Sequence, residues 1–281
     1  MEESGGRSAS DGKASEYWRS VLSGEDKGLA AYSRLFRSIP SAPRCKLCMA
    51  PFEGPVAPLF RIVGFGRWAL NQQLCSFCVK DLDRHKGGAE LPVSLLFADV
   101  RGSTTLAETM TPTDYRASLD RFFAVVSEAV DSEDGVIDHI VGDGVMAMWI
   151  PGFVGSNHPE RAIAAGRKAV RGLQVDRRLG ESFPAGVGVH TGVAFVGVVG
   201  EKGSHDFTVV GDAANTVARL GSVAAGGELI MSESIVQASQ TDTHDLEPRL
   251  LDLKGKSEPF PAWVETASHE ERDSAPKPRR T

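Results

Sequence analysis

Two aspartates stand where a carboxylate could hold a metal ion beside a polyphosphate. Asp99 closes an apolar run in LLFADVRGSTT, residues 95–105, and a turn of small residues follows it. Asp143 lies in GVIDHIVGDGVMAMW, where two apolar runs flank Gly142 and Gly144 and predict a hairpin with the acid at its tip. A strand that delivers a carboxylate to a loop of free backbone N–H groups can place a metal beside phosphates.

A third polar feature follows in FTVVGDAANTVARL, residues 207–220. Asn215 and Arg219 are four residues apart, so they share one face of a predicted helix. Each feature also has an ordinary structural interpretation: a helix cap for Asp99, turn chemistry for Asp143 and a solvated helix face for the polar pair. The alanines around Asn215 suit a closely packed helix whose polar face turns into a cleft, which favours the functional interpretation.

Four cysteines form two matched pairs, Cys45-Lys-Leu-Cys48 and Cys75-Ser-Phe-Cys78. Each Cys-x-x-Cys pair can hold one side of a metal ion, and together they predict a tetrahedral four-sulfur site. Zinc is the default metal for four thiolates, and an iron–sulfur cluster is the alternative. Without a secretory signal, this cysteine usage indicates a reducing compartment rather than disulfides.

The composition is that of an ordinary globular chain. Its 281 residues are 41% hydrophobic and 24% charged, which is enough for one sizeable domain and a small module. We expect a cytoplasmic protein, because no apolar run is long enough to span a membrane and the N-terminus has no apolar signal region. The net charge of −6 argues against a nucleic-acid partner. A nucleic-acid-binding cysteine module is the competing hypothesis, with slight support from a few basic residues.

The hydrophobic periods predict alternating strands and helices after an N-terminal region of different character. We expect a disordered lead and then one amphipathic stretch over about 16–39. The predicted strands cover 93–98, 136–149 as a hairpin, 186–199 as strand, turn and strand, 207–210, 228–231, 250–253 and 262–265. One predicted helix begins at Pro112, with Thr111 as its N-cap. Two further helices are predicted over about 159–173 and 212–223. The order β-α-β-β-α-β predicts an α+β fold with a ferredoxin-like core.

Several of these segments together resemble the catalytic domain of class III nucleotidyl cyclases. FADVRGST is similar to the family's first metal motif and GVIDHIVGDGVMAMW to its second. GVGVHTGVAFVGVVG resembles the central strand pair, FTVVGDAANTVARL the transition-state helix, and LKGKSEPFPAWVE the closing strands. Dispersed motifs in the right order are more specific than any one of them. We therefore predict four domains: 1–40, an N-terminal tail and short helix; 41–87, the four-cysteine module; 88–266, the cyclase domain; and 267–281, a disordered tail.

The resemblance implies an adenylate cyclase, a phosphorus–oxygen lyase that converts ATP into 3′,5′-cyclic AMP and pyrophosphate in signal transduction. Two Mg²⁺ or Mn²⁺ ions would be held by Asp99, Val100 and Asp143. Asn215 and Arg219 would orient the ribose and stabilise charge on the α-phosphate, and Lys254 would contact the terminal phosphates. Backbone groups of the turn after the first metal ligand would hold the β- and γ-phosphates; this set is Val100, Arg101, Gly102, Ser103 and Thr104.

Base recognition departs from the family pattern. His139 stands where adenine-selective members typically have Lys, and Thr208 stands where many have Asp and one subgroup has Thr. Thr208 can accept a hydrogen bond from the adenine 6-amino group, and an imidazole can donate one to N1. We therefore expect ATP as substrate. The alternatives are guanylate or mixed specificity, and a catalytically silent cyclase-homology domain that regulates a partner.

The family resemblance also implies a homodimer. Metal ligands and transition-state residues of these cyclases come from opposite subunits, and this single chain carries both sets. Two equivalent composite sites would then form, with Asp99 and Asp143 of one chain facing Asn215 and Arg219 of the other.

Overall fold

The computed structural model describes residues 4–41, 43–68, 72–84, 87–176, 178–179, 183–201 and 204–266. Its helices are α1 (Ser4–Ser23), α2 (Lys27–Arg37), α3 (Ala57–Phe60), α4 (Ser76–Arg84), α5 (Ser103–Thr109), α6 (Pro112–Ser132), α7 (Pro151–Val154), α8 (His158–Val175), α9 (Asp212–Val223) and α10 (Glu233–Ser239). A π-helical turn, Arg61–Phe65, follows α3. The strands are β1 (Gly88–Val100), β2 (Val136–Val141), β3 (Gly144–Trp149), β4 (Ala185–Glu201), β5 (Ser204–Val210), β6 (Glu228–Ser232), β7 (Glu247–Leu251) and β8 (Phe260–Thr266).

The chain divides into two compact units. The first contains the residues up to Val93, 149–158 and 193–211, and the second contains 94–148, 159–192 and the residues from Asp212 onward. Strands β1 and β4 each contribute residues to both units. Among the described residues, no helix has the length and apolar character needed to cross a membrane.

The second unit is built on a sheet whose strand order is β2-β3-β1-β4-β6-β8-β7. β2 and β3 form the predicted antiparallel hairpin, while β4 and β6 run parallel. β1 is a nearly continuous apolar strand in which Leu95, Leu96 and Ala98 are fully buried. Such a strand is buried on both faces, as the sequence predicts. The order β1-α6-β2-β3-α8-β4 reproduces the expected β-α-β-β-α-β core.

Helix α6 begins as the sequence predicts. Thr111 is its N-cap and accepts a hydrogen bond from the backbone N–H of Asp114 at 3.2 Å, and Pro112 occupies the first helical position. The predicted helices over 159–173 and 212–223 are also present, as α8 and α9. Two short helices, α5 and α10, are not predicted by the apolar periods, because seven residues are too few to establish a period.

The prediction of strand, turn and strand over 186–199 is wrong. These residues belong to one extended strand, β4, which pairs antiparallel with β5 through its second half. At two glycines of this strand another group approaches closely. An ideal Cβ on Gly197 would lie 2.3 Å from the carbonyl oxygen of Gly87, and one on Gly192 would lie 2.8 Å from the His190 ring.

The N-terminal region also differs from expectation. Residues 4–23 form a helix, α1, where the sequence predicts a disordered lead, and the amphipathic stretch is broken into α1 and α2. Trp18, Val21 and Leu22 are buried as expected, but Tyr32 and Leu35 of α2 are 49% and 62% exposed. The predicted disordered tail over 267–281 lies outside the described residues, and the predicted domain boundaries stay predictions.

Candidate active site

Asp99 lies one residue before the end of β1 and is largely buried. Its carboxylate accepts hydrogen bonds from the Arg101 guanidinium and, at 3.4 Å, from the Ser222 hydroxyl. Burial raises the pKa of Asp99, Arg101 opposes this effect, and the negative charge of Asp143 adds to the rise in pKa. A further positive charge placed beside Asp99 would therefore stabilise the ionised form of its carboxyl group.

Asp143 lies at the tip of the β2–β3 hairpin, as predicted. Gly142 has φ +59°, and Val141 pairs with Gly144 across the turn. An ideal Cβ on Gly144 would lie 2.5 Å from the end of the Phe97 ring of β1, so Gly144 packs directly against that ring. The hairpin thus packs beside Phe97, two residues before Asp99, and the charge of Asp143 raises the pKa of Asp99.

The predicted phosphate-binding turn follows β1 directly. Gly102 has φ +64° and precedes the first residue of α5, so the backbone reverses here as a glycine-containing turn allows. The backbone N–H of Arg101 donates to the Pro184 carbonyl oxygen at 2.7 Å. That N–H is therefore engaged within the protein, and the proposed phosphate contacts rest on the remaining residues of the turn, among which Thr104 is exposed.

Helix α9 carries the predicted transition-state residues. Asn215 is exposed and Arg219 is partly buried, whereas Ala213, Thr216, Val217, Leu220 and Gly221 are buried. An ideal Cβ on Gly221 would lie 2.5 Å from the Phe97 carbonyl oxygen, so α9 packs almost directly on the backbone of β1. The small residues thus fix the helix while its polar residues remain accessible, as the sequence predicts.

The turn containing Lys254 lies against α9. An ideal Cβ on Gly255 would be 3.2 Å from the Arg219 guanidinium, and Lys254 itself is exposed. Lys256 donates from Nζ to Asp212 Oδ2 at 2.6 Å, and this hydrogen bond is the main cause of the lowered pKa of Asp212. Sequence reasoning missed Lys256 and Ser222, since no local pattern reports a contact between residues so far apart in the chain.

The two predicted base-selecting residues lie in different units. His139 follows a bulge in β2, where the pairing register shifts between Ile137 and His139. Its Nδ1 lies 2.8 Å from Asp138 Oδ2; the His139 side chain is 45% exposed and that of Asp138 is fully buried. Thr208 lies in β5 of the first unit, opposite Gly197 of β4.

The four cysteines meet in the first unit and are all buried. The Sγ atoms of Cys45 and Cys78 are 3.9 Å apart, those of Cys48 and Cys75 are 3.6 Å apart, and all four lie within 4.8 Å of one another. Backbone N–H groups point at two of the sulfurs, from Cys75 to Cys45 at 3.3 Å and from Cys78 to Cys75 at 3.4 Å. The predicted four-cysteine cluster is confirmed.

Comparison with known proteins decides the family. The family model of the adenylate and guanylate cyclase catalytic domain matches residues 89–265, well over half of the chain. The chain belongs to this cyclase family. The resemblance drawn from the dispersed motifs is thus confirmed, and the two carboxylates and helix α9 lie inside the matched cyclase domain.

The curated relatives of this chain include proteins named adenylate cyclase. An adenylate cyclase of Anabaena cylindrica is 29% identical over 216 residues, which are 69% of this chain and 41% of that protein. Adenylate cyclase 1 of Rhizobium meliloti is 34% identical over 133 residues, 46% of this chain and 20% of that protein. The cyclase chain thus spans less than half the length of these curated relatives.

Solved structures confirm the fold. The guanylyl cyclase Cya2 aligns with a TM-score of 0.59 at 25% identity, over 65% of this chain and 96% of the other. The adenylyl cyclase CyaB from P. aeruginosa aligns with a TM-score of 0.56 at 23% identity, over 64% of this chain and 96% of the other. The predicted α+β cyclase fold is confirmed, whereas the choice of nucleotide is not decided by similarity.

Proposed function

We propose that this cyclase converts ATP into 3′,5′-cyclic AMP and pyrophosphate by a two-metal mechanism. The observation that carries the proposal is the packing of the Asp143 hairpin on β1: an ideal Cβ on Gly144 would lie 2.5 Å from the ring of Phe97, two residues before Asp99. The negative charge of Asp143 raises the pKa of Asp99 although Arg101 opposes the rise, so a cation bound beside both acids would stabilise their ionised forms. Oxygen ligands of this kind suit Mg²⁺ or Mn²⁺.

The donor set fits divalent cations, with Asp99, Asp143 and the backbone of Val100 as the ligands. When bound, the cations would neutralise the phosphates and activate the ribose 3′-hydroxyl. Asn215 orients the ribose, Arg219 offers its guanidinium to the charge that develops on the α-phosphate, and Lys254 pairs with the terminal phosphates. The backbone of the turn at Gly102, Ser103 and Thr104 supports the phosphates from the other side.

The contact between His139 and Asp138 bears on the choice of base. A carboxylate only accepts hydrogen bonds, so Nδ1 carries the hydrogen and Nε2 of the neutral ring is an acceptor. A neutral His139 therefore suits an N–H donor on the base edge, such as the adenine 6-amino group or guanine N1–H. Donation to adenine N1 requires the protonated ring. Because both bases offer such a donor, this contact supports mixed specificity as the second candidate.

For the four-cysteine module, we propose a single zinc ion. Four thiolates at a Zn–S distance of about 2.3 Å place their sulfurs about 3.8 Å apart in a tetrahedron. The distances of 3.6 and 3.9 Å in this chain fit that geometry. An iron–sulfur cluster places several atoms between the thiolates and would hold them farther apart. The arrangement supports zinc over the iron–sulfur alternative.

The deciding experiment measures cyclic nucleotide formation by the purified chain, with ATP or GTP and with Mg²⁺ or Mn²⁺. We expect cyclic AMP, and a loss on the order of a hundredfold in Asp143→Ala, because one of the two metal-binding carboxylates is gone. Asp120→Ala is the matched control, since this acid forms an exposed ion pair with Arg116 on α6 and its loss should leave the rate unchanged.

Each other outcome has a definite meaning. Product from GTP alone, or equally from both nucleotides, would replace adenylate with guanylate or mixed specificity. No product from either nucleotide in folded protein would favour the silent regulatory domain.

A further inference from the structure

The guanidinium of Arg101 lies directly on the first predicted metal ligand. Its Nη2 donates a hydrogen bond to Asp99 Oδ2, and its Nη1 donates to the backbone carbonyl oxygen of Ser222 on α9. The Ser222 hydroxyl donates to the same Asp99 oxygen at 3.4 Å. All three residues belong to the second unit. A positive charge of the chain itself therefore occupies one side of the Asp99 carboxylate.

The ion pair is largely shielded from water. The side chain of Arg101 is 23% exposed and that of Asp99 is 19% exposed. Burial raises the pKa of Asp99, and the charge and hydrogen bond of Arg101 oppose that rise. Arg101 thus stabilises the ionised form of the carboxyl group, which is the form that binds a metal ion, and it does so by contacting the oxygen atom that a metal ion would need.

The hydrogen-bonding capacity of this guanidinium is not fully used. Its Nε atom is buried and has no hydrogen-bond partner within the part of the chain that the structure describes. A buried donor without an acceptor costs free energy, so the loss at Nε offsets part of what the contacts of Nη1 and Nη2 contribute. Such a partly satisfied guanidinium is easier to displace from Asp99 than one whose donors are all paired.

We propose that Arg101 competes with divalent metal ions for Asp99, so that a metal ion binds there as the guanidinium is displaced from the carboxylate. This inference rests on the proposed metal-binding role of Asp99 and Asp143. It makes Arg101 a positioning residue that sets the metal ion concentration at which the site fills.

The expected size of the effect follows from the ion pair. An opposite charge beside a carboxyl group shifts its pKa by about one to three units, and each unit corresponds to about a tenfold change in an equilibrium constant. A metal ion that displaces Arg101 forgoes this stabilisation. Because both side chains keep some contact with water, we expect the lower end of the range, a metal affinity that Arg101 reduces about tenfold.

The test measures Mn²⁺ binding to the full chain without nucleotide, from the electron paramagnetic resonance signal of the free ion. The readout is therefore independent of turnover. Arg101→Met removes the charge, and we expect its Mn²⁺ dissociation constant to fall about tenfold. Arg101→Lys keeps a positive charge and should stay within about threefold of wild type. Asp143→Ala removes a proposed ligand, so its residual binding measures the Mn²⁺ held elsewhere on the chain.

Arg167→Met is the matched control. Arg167 is a partly exposed arginine of the second unit that pairs with Glu265 at 2.8 Å, and this ion pair joins α8 to β8, neither of which carries a predicted metal ligand. Its loss should leave the dissociation constant unchanged. If Arg101→Met does not fold, Arg101→Gln removes the same charge and must show the tighter binding instead.

The outcomes separate the inference from the proposal on which it rests. Unchanged or weaker Mn²⁺ binding in the folded Arg101 variant, or an equal gain in Arg167→Met, overturns the competition between Arg101 and the metal ion. Mn²⁺ binding that is absent from every variant, or that Asp143→Ala leaves unchanged, would overturn the proposed metal site instead.

Discussion

His190 of β4 is a histidine that the fold keeps neutral. Its Nδ1 lies 2.8 Å from the Ser232 hydroxyl and 3.2 Å from that of Ser234. Burial lowers the pKa of His190 from 6.5 to about 4; Asp212 opposes the shift and Lys256 adds to it. Since the unfolded chain takes up a proton near pH 6.5 and the folded chain does not until about pH 4, acid favours unfolding between these values.

We therefore expect the free energy of unfolding to be at its full value above pH 6.5 and to fall as the pH drops towards 4. The upper limit of the loss is about 3 kcal/mol, at 1.36 kcal/mol per pKa unit. Urea unfolding of wild type and His190→Gln from pH 4.5 to 7.5 checks this, since the variant should lack this part of the slope. Three carboxyl groups with lowered pKa values also affect the free energy of unfolding, but at lower pH; they belong to Asp176, Asp212 and Glu228. Parallel curves for the two proteins would contradict the prediction.

At the scale of elements, the four-cysteine site joins a turn to a helix. Cys45 and Cys48 lie on a turn that ends at Met49, a non-glycine residue with φ +64°, while Cys75 and Cys78 flank the first residues of α4. Burial raises the pKa of Cys45, but hydrogen bonds from the other three cysteines outweigh burial and hold it well below its usual range. Hydrogen bonds with Cys45 raise the pKa of Cys48 and Cys78, so the sulfurs of the cluster lose their protons as a group and not one by one.

Metal analysis of the purified chain should find about one zinc per chain, the number a tetrahedral four-thiolate site holds. Cys48→Ser should lose the zinc and melt at a lower temperature, because metal binding contributes to folding. Ser76→Ala is the control within the other Cys-x-x-Cys pair of the same site: it removes a hydrogen bond to the Gly66 carbonyl but no ligand. Iron with acid-labile sulfide, or full zinc content in Cys48→Ser, would refute the single-zinc site.

At the scale of the whole molecule, one chain carries both halves of the proposed active site. Asp99 and Asp143 are the metal-binding half, and Asn215 and Arg219 on α9 are the transition-state half. The exposed position of Asn215 leaves it available to a second chain. We propose a homodimer in which each site takes one half from each subunit.

Mixed dimers test this arrangement. Asp99→Ala and Asn215→Ala, co-expressed and purified through two different tags, should recover about half of the wild-type activity, because one of the two sites then has no substitution. Dimers of Asp99→Ala with Asp143→Ala are the control and should stay inactive, since both changes fall on the same half. Equal activity of the two mixed dimers would show that the site does not form across subunits.

Much of the fold and the candidate site could be predicted from local patterns. A nearly continuous apolar run indicated β1, two apolar runs around Gly142 and Gly144 indicated the β2–β3 hairpin, and Thr111 with Pro112 indicated the start of α6. The prediction failed at β4, where residues 186–199 were interpreted as strand, turn and strand although they form one strand that contains Gly192. Glycine occurs both in turns and where another group packs directly on the backbone. Only the contacts of Gly192 with His190 and Ala213 show that the second reason applies here.

The sequence by itself determined the cyclase domain, its two candidate carboxylates and the matched cysteine pairs, because residue type and short-range spacing carry these signals. Only the tertiary structure decided which distant groups meet. It placed Arg101 between Asp99 and the Ser222 carbonyl, and the Trp18 ring on Phe207. Periodicity reports which face of an element is apolar, but the partner on that face depends on how elements far apart in the chain pack together.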